Sequence, residues 1–253
     1  MKAVFIADAH LKGPGDAAQD ALLGFLGSLR GASAAGLSLP GETLRVDRLV
    51  VAGDFFDFWF ARGGRFYPGF RPVIDRLAAL KAQGLRISLC EGNHDFFLAD
   101  HFTKELGIEV FDQWADLEMD GLRVLVSHGD TVDRENRKYL ALRNFLRSPF
   151  ARSLQGVLPL AFLWGVARRC SRISKRMSSQ SVDRLAGLMH AFALGKFSEG
   201  YDAVVLGHCH KPQIREERIA GRPRTFAILG EWDGGGTYLL YEDGRFTLKR
   251  YPA

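Results

Sequence analysis

Short apolar runs rich in β-branched residues recur along this chain, and each ends in a polar cluster. They lie at 3–7, 49–52, 86–90, 123–127 and 203–206. Helix-compatible stretches fill 16–33 and 67–83, and another follows at 98–106. Strands alternating with helices imply βαβ units and a mostly parallel sheet. The last fifth changes character. Runs at 213–219, 225–229, 237–241 and 246–251 are separated by turn signals such as Ala220-Gly221 and Asp243-Gly244, which predicts an antiparallel meander. The pattern as a whole predicts a layered α/β sandwich with two packed sheets. One segment interrupts it. Residues 136–197 are helical in period, basic and without strand signals, so they read as an insertion over whatever the flanking strand ends build.

The polar clusters carry the chemistry. Asp8-Ala9-His10 follows the first run, Gly53-Asp54-Phe55-Phe56-Asp57 the second and Gly92-Asn93-His94-Asp95 the third. Ser127-His128-Gly129-Asp130 follows the fourth and Gly207-His208-Cys209-His210 the fifth. Carboxyl ends of strands in open α/β sheets converge on one crevice, so the five clusters are expected to meet. Five of the seven histidines fall in them, which is hard to reconcile with independent structural roles. Gly207 is expected to break the strand so that His208 and His210 reach one site. Mixed imidazole, carboxylate and amide donors suit manganese, iron or zinc better than calcium. Seven such donors exceed one tetrahedral ion and fit two ions sharing a carboxylate.

Composition adds bounds. The 253 residues are 47% hydrophobic and 25% charged, as expected of one domain, or a domain with an insertion, that buries a real core. The longest apolar candidate, 157–167, contains Pro159 and is too short to span a bilayer. No signal-peptide pattern follows Met1-Lys2, so the expected location is the cytoplasm, with Cys90, Cys170 and Cys209 reduced. The net charge of +5 is uneven. Residues 134–179 hold eleven basic side chains and one acid, which is +10, so the rest is −5. An anionic partner for that segment competes on about even terms with a solvated basic helical face.

In this order the clusters resemble the pattern of the calcineurin-like metallophosphoesterases: D-x-H, G-D-x-x-D, G-N-H-[DE], a histidine-glycine strand end and G-H-x-H. The resemblance implies a four-layer αββα sandwich with a helical lid insertion at about 136–197. It assigns Asp8, His10 and His210 to one divalent metal ion and Asn93, His128 and His208 to another, with Asp54 bridging. It also implies in-line attack on phosphorus by a water that the ions make acidic. His94 would then stabilise charge or protonate the leaving oxygen as a catalytic residue. Asp95, grouped with it, and Asp57 would orient His94 or a ligand, or equally serve as turn and cap residues.

Two further stretches narrow the resemblance. His128-Gly129-Asp130-Thr131 leads into a basic helix with Tyr139, Arg143 and Phe145, and Ile228-Leu229-Gly230-Glu231-Trp232 leads into Gly234-Gly235-Gly236-Thr237-Tyr238. With the insertion, these resemble the UDP-2,3-diacylglucosamine pyrophosphohydrolases of lipid A biosynthesis. Those are manganese enzymes, peripheral on the inner face of the inner membrane. They give lipid X and UMP, and their insertion forms a lid over the acyl chains. The resemblance makes Asn136 and Tyr139 substrate-binding candidates. Arg143, Arg147, Arg172, Lys175 and Arg176 are candidates for anion contacts. The run from Val157 to Trp164, followed by Arg168-Arg169, fits acyl chains and an anionic membrane surface. In one respect the chain departs: the best-known branch has arginine where His94 stands, which leaves the exact substrate open but not the chemistry. The competing enzymatic reading is a general phosphodiesterase or nuclease, with the basic segment along a nucleic-acid backbone. Nucleic acid is disfavoured because that segment is densely apolar and lacks interleaved aromatic stacking residues. A non-catalytic binding scaffold would be expected to lack ligands, and none is missing. The pattern does not determine the oligomeric state.

Overall fold

The computed structural model describes residues 1–31, 43–167, 181–232 and 236–252. Two sheets lie face to face. The first runs β13-β12-β1-β4-β5-β6, with β1 (Lys2–Ile6), β4 (Arg48–Ala52), β5 (Arg86–Cys90) and β6 (Glu109–Phe111) mutually parallel. Its antiparallel edge is β12 (Thr237–Glu242) and β13 (Arg245–Arg250). The second runs β10-β11-β9-β8-β7. Here β8 (Leu122–Ser127), β9 (Ala203–Leu206) and β11 (Arg222–Ile228) are parallel. The edges β7 (Trp114–Met119) and β10 (Gln213–Ile219) are antiparallel. A short parallel pair, β2 (Leu29–Gly31) and β3 (Leu44–Val46), stands apart.

Strand alternation builds the layers. Val4 and Ile6 of β1, with Leu49 and Val51 of β4, face a core closed by α1 (Ala17–Ser28) and α2 (Arg71–Ala82). Ala3, Phe5, Val50 and Ala52 face the opposite way, against Val124 and Val126 of β8 and Ala203 and Val205 of β9. Leu125, Val204 and Leu206 then point outward, where α7 (Val182–Ser198) covers them with Leu185, Met189, Ala193 and Phe197. The result is the expected four-layer αββα sandwich.

Three expectations change. The meander is in fact two hairpins on different sheets, because β11 and β12 do not pair. The expected turns are right: Ala220-Gly221 and Asp243-Gly244 all have positive φ, as two-residue hairpin turns require. The helix expected over 16–33 stops at Ser28, where the chain extends into β2. The one expected over 98–106 is the short α3 (Ala99–Phe102).

Between β8 and β9 the described chain is helical: α4 (Arg137–Leu146), α5 (Pro149–Val157), α6 (Leu160–Ala167) and α7. Only α7 is built into the sandwich. α4 has no buried side chain, and α5 buries only Ala151. The α5–α6 bend docks by polar tethers. Arg62 donates to the carbonyls of Gly156 and Leu158, Trp164 Nε1 donates to the Phe60 carbonyl at 3.2 Å, and Arg152 pairs with Asp100 at 2.5 Å. Arg172, Lys175 and Arg176 lie outside the described residues, as do Arg168, Arg169 and Cys170.

Candidate dinuclear metal centre

The five clusters do meet at one edge. Asp8 and Asp54 lie on neighbouring parallel strand ends, with Asp8 N–H donating to the Gly53 carbonyl at 3.1 Å and His10 N–H to Asp54 at 3.0 Å. The second sheet brings the rest. His208 N–H donates to both Asp8 carboxylate oxygens, at 3.1 and 2.9 Å. His210 Nε2 sits 3.3 Å from Asp8 Oδ1 and 3.4 Å from His10 Nε2. His128 Nε2 sits 3.3 Å from Asp54 Oδ2, 2.9 Å from Asn93 Oδ1 and 3.2 Å from His208 Nδ1. All seven expected donors thus fall into two adjoining groups, joined through Asp54.

Backbone conformation explains how so many donors fit. Asp8, His10, Asp54, His208 and His210 all have φ between 45° and 64°. Left-handed non-glycine residues are uncommon and collect at functional sites, where the surrounding fold holds the strain. The turn that gathers His208 and His210 is therefore made by the histidines themselves. Gly207 serves close approach instead, since a Cβ there would sit 2.9 Å from the Ala52 carbonyl and 3.0 Å from Asp8 Oδ2. Gly92 is tighter still: its Cβ would lie 2.0 Å from Asp54 Oδ1.

The charges fit cations. Burial pushes His10 and His208 down to about 4, so both present neutral imidazoles with a lone pair to give. At His128 burial acts the same way but is outweighed by the charge and hydrogen bond of Asp54, and the imidazole is pushed up to about 10. His210 also rises to about 10, because Asp8 and Glu231 outweigh its burial. Burial opposes ionisation of Asp54, yet His128, His94 and His10 together hold its carboxyl well below the usual range. Without a metal, the buried carboxylates draw positive charge onto imidazoles. Pairs of ring nitrogens facing each other at 3.2 and 3.4 Å are natural neighbours when a cation sits among them. The donor set therefore fits divalent ions, one of which Asp8, His10 and His210 would hold and another Asn93, His128 and His208, with Asp54 lying between the two groups.

His94 lies just outside this set. Its Nε2 is 4.0 Å from Asp54 Oδ2, and its Nδ1 faces the backbone carbonyl of Asp57 at 3.1 Å. Asp57 thus orients His94 through its main chain. Asp95 is fully buried and faces the loop of Asp54. Its carboxylate accepts four backbone N–H bonds, from Asp54 and Gly92 at 3.1 and 2.9 Å and from Phe55 and Phe56 at 2.7 and 3.0 Å.

Among the substrate candidates, Tyr139 and Arg143 reach the site through Asp130. The Tyr139 hydroxyl donates to Asp130 Oδ2 at 2.8 Å and Arg143 Nε at 2.5 Å, and the Tyr139 ring lies 6.3 Å from that of His208. Asn136 caps α4, accepting from Tyr139 N–H at 3.3 Å, and is exposed. Arg147 turns inward onto Glu91 and Gly92. Sequence reasoning missed Glu231, which sits 3.0 Å from His210 Nδ1 and fixes that ring. A signal existed: β11 is parallel to β9, so the residues beyond Ile228 open on the same crevice.

A model of the calcineurin-like phosphoesterase family matches residues 1–212. The chain belongs to that family. It carries the donor set of a hydrolase acting on phosphate esters. Among its relatives, the UDP-2,3-diacylglucosamine hydrolase of Pseudomonas entomophila is 30% identical over 218 residues, covering 83% of this chain and 88% of that one. The protein of that name from Photorhabdus laumondii is 29% identical over 259 residues, with the whole of both chains covered. That from Pseudomonas savastanoi is 28% identical, covering 84% of this chain and 86% of the other.

Proposed function

We propose that this phosphoesterase hydrolyses the diphosphate of a UDP-linked diacylglucosamine, releasing UMP and a diacylglucosamine phosphate. The observation that carries the proposal is a two-group donor cluster whose Asn93-His94 loop runs on, through Phe96 and Phe97, into the wall of a cavity. That cavity, of about 380 Å³, lies between α3 and the α5–α6 bend, with an apolar wall of Trp59, Phe60, Phe96, Phe97, Leu160 and Leu163 and a charged rim that includes Arg62, Lys104, Glu105 and Arg152. It lies within the usual size range of ligand sites. Phe96 and Phe97 follow His94 by two and three residues, which links an acyl-binding wall to the reacting end.

Two divalent ions, manganese in this reading, would supply an acidified water and neutralise phosphoryl oxygen charge. The protein's own part is positioning. Asp54, held by Asp95 and Gly92, would hold the ions at a fixed separation. His94 presents Nε2 beside Asp54 while Nδ1–H donates to the Asp57 carbonyl, so Nε2 carries a proton only in the imidazolium form, which would meet charge on the phosphate or give that proton to the leaving oxygen. Tyr139 and Arg143 are committed to Asp130, two residues after His128, and would shape that side of the crevice for the sugar or diphosphate instead of gripping it. The helices α4–α6 would act as the lid.

Seven of the eight large apolar side chains that stand exposed among the described residues belong to α4–α6, including Phe145, Phe150, Val157 and Phe162. No single helix among them is long and apolar enough to cross a membrane, and α5 and α6 meet at 118°. Amphipathic basic helices of this kind bind at a lipid surface, so we place the enzyme peripherally on an anionic membrane, the inner face of the inner membrane.

The test compares purified protein with Mn²⁺ on a UDP-linked diacylglucosamine in micelles and on short single-stranded DNA. UMP release at a kcat/KM at least about a hundredfold above DNA cleavage, some 2.7 kcal/mol of discrimination, is expected. Cleavage of DNA with the glycolipid untouched would replace the proposal with the nuclease reading.

A further inference from the structure

α4 is held in an unusual way. None of its side chains is buried, so apolar packing does not seat it. It is fixed by polar contacts at positions 139, 143 and 147, which recur every four residues and so form one stripe. Tyr139 and Arg143 hold Asp130, two residues after His128. Arg147, at the end of the helix, holds the loop of Asn93. Its Nη1 donates to Glu91 Oε2 at 2.7 Å and to the Asp112 carbonyl at 3.1 Å, and its Nη2 donates to the Gly92 carbonyl at 2.7 Å. Its guanidinium also lies 5.5 Å above the Phe96 ring.

The two loops gripped by this stripe supply Asn93 and His128, whose side chains meet at 2.9 Å. Both belong to the same proposed metal group. The Arg147 grip ends on the carbonyl of Gly92, one peptide before Asn93. Gly92 N–H is clamped by Asp95, and Asp54 fills the space that a side chain at Gly92 would need. Glu91 is itself fixed, with its N–H on the Phe111 carbonyl at 2.9 Å and its Oε1 accepting from Leu98 N–H at 2.8 Å. The Arg147 guanidinium therefore bears on rigid parts, and moving it moves the Asn93 loop.

The geometry points to α4 as a splint. Tyr139, Arg143 and Arg147 are positioning residues that fix the distance between the Asn93 and His128 loops, so that seating of α4 sets affinity at the second metal group. This rests on the two-ion reading of the crevice, but not on the identity of the substrate. It also gives Arg147 a different task from the anion contact expected from sequence.

The test is Mn²⁺ titration calorimetry on the full chain, with circular dichroism as a folding control and KM and kcat recorded separately. Arg147→Ala is expected to weaken one of two ions by about 10–100-fold, the usual effect of removing an outer-shell support. The other ion should stay within about threefold. Arg147→Lys should recover part of the loss. Arg62→Ala, which releases the α5–α6 bend at Gly156 and Leu158 without touching either loop, should leave both affinities unchanged. If Arg147→Ala does not fold, Arg143→Lys is the deciding variant, with the same one-site loss expected. Unchanged affinities with a raised KM would overturn the splint and return Arg147 to substrate binding. Equal loss at both ions would overturn it as well. Wild-type protein that binds two ions without cleaving the glycolipid would remove the proposed substrate and leave the splint standing.

Discussion

The sharpest perturbation of the centre is one added methyl group, Gly92→Ala. The Cβ of alanine at this position would lie 2.0 Å from Asp54 Oδ1 and 2.3 Å from Asp54 N. Real Cβ contacts essentially never fall below 3.0 Å, so at least 1.0 Å (3.0 minus 2.0) must be made up by movement of the Asp54 carboxylate or its loop. Neither yields easily, because Asp95 ties the N–H groups of Asp54, Phe55, Phe56 and Gly92 together in one buried clamp. Overpacking of this kind costs about 1–3 kcal/mol in stability. The catalytic loss is of comparable size, since a misplacement of about 1 Å costs on the order of a hundredfold in rate, about 2.7 kcal/mol. The assay is kcat/KM on bis(p-nitrophenyl) phosphate at saturating Mn²⁺, with circular dichroism and metal content on the same sample. The expected outcome is native secondary structure, a rate down at least about a hundredfold, and weakened binding of both ions, because Asp54 lies between the two donor groups. Gly187→Ala is the control. It lies in the middle of α7 with nothing within 4 Å of a new Cβ, so it should gain about 0.5–1 kcal/mol and keep full activity. Gly92→Ala retaining activity within about threefold would refute the argument that Asp54 is wedged in place.

Two further outcomes follow from the electrostatics. In metal-free protein, His128 and His210 titrate at about 10, above the ordinary value of 6.5, and so add stability below pH 6.5 that is lost as pH rises towards 10. His10 and His208 titrate at about 4, so their contribution is lost as pH falls from 6.5 towards 4. For these four groups stability of the metal-free protein peaks near pH 6.5, and Mn²⁺ binding at pH 8 should release about two protons, because two protonated imidazoles must give up their protons to become ligands. Calorimetry in buffers of different ionisation enthalpy counts those protons, and a count near zero would contradict the charge distribution. The second outcome concerns Asp95→Asn. It leaves two of four buried N–H groups facing an NH₂, at about 1–3 kcal/mol each, so a loss of about 2–6 kcal/mol in urea unfolding is expected, and a change under about 0.5 kcal/mol would show that the clamp is dispensable.

What the sequence revealed and what it hid follow from the range of the forces involved. Strands 86–90 and 203–206 were legible to the residue because a short apolar run is a local signal, and the convergence of the candidate donors because each occupies a strand end that the parallel order carries to one edge. The split of the last four strands into two hairpins was not legible. Each hairpin turn is local, but the sheet a hairpin joins depends on the crossing from β11 to β12. The insertion was legible as a basic helical segment but not as a divided one. The apolar stripe of Leu185, Met189, Ala193 and Phe197 does not say what it faces, and only contact with Leu125 and Val204 makes α7 an outer layer. Arg147 was the most deceptive residue. In sequence it is one of eleven basic side chains beside an apolar run, which reads as an anion contact. Its partner Glu91 lies 56 residues away, directly before the Gly-Asn-His-Asp motif, as one more acid at a strand end. Burial decides the matter. A carboxylate buried as deeply as that of Glu91 has its charge opposed by desolvation and needs a cation beside it, and Arg147 is the cation that reaches it. Charge counting along the chain therefore overstates the positive field available to a substrate. Each arginine of the segment already committed to an inward carboxylate, Arg143 on Asp130 and Arg147 on Glu91, holds the site together instead of drawing the ligand in.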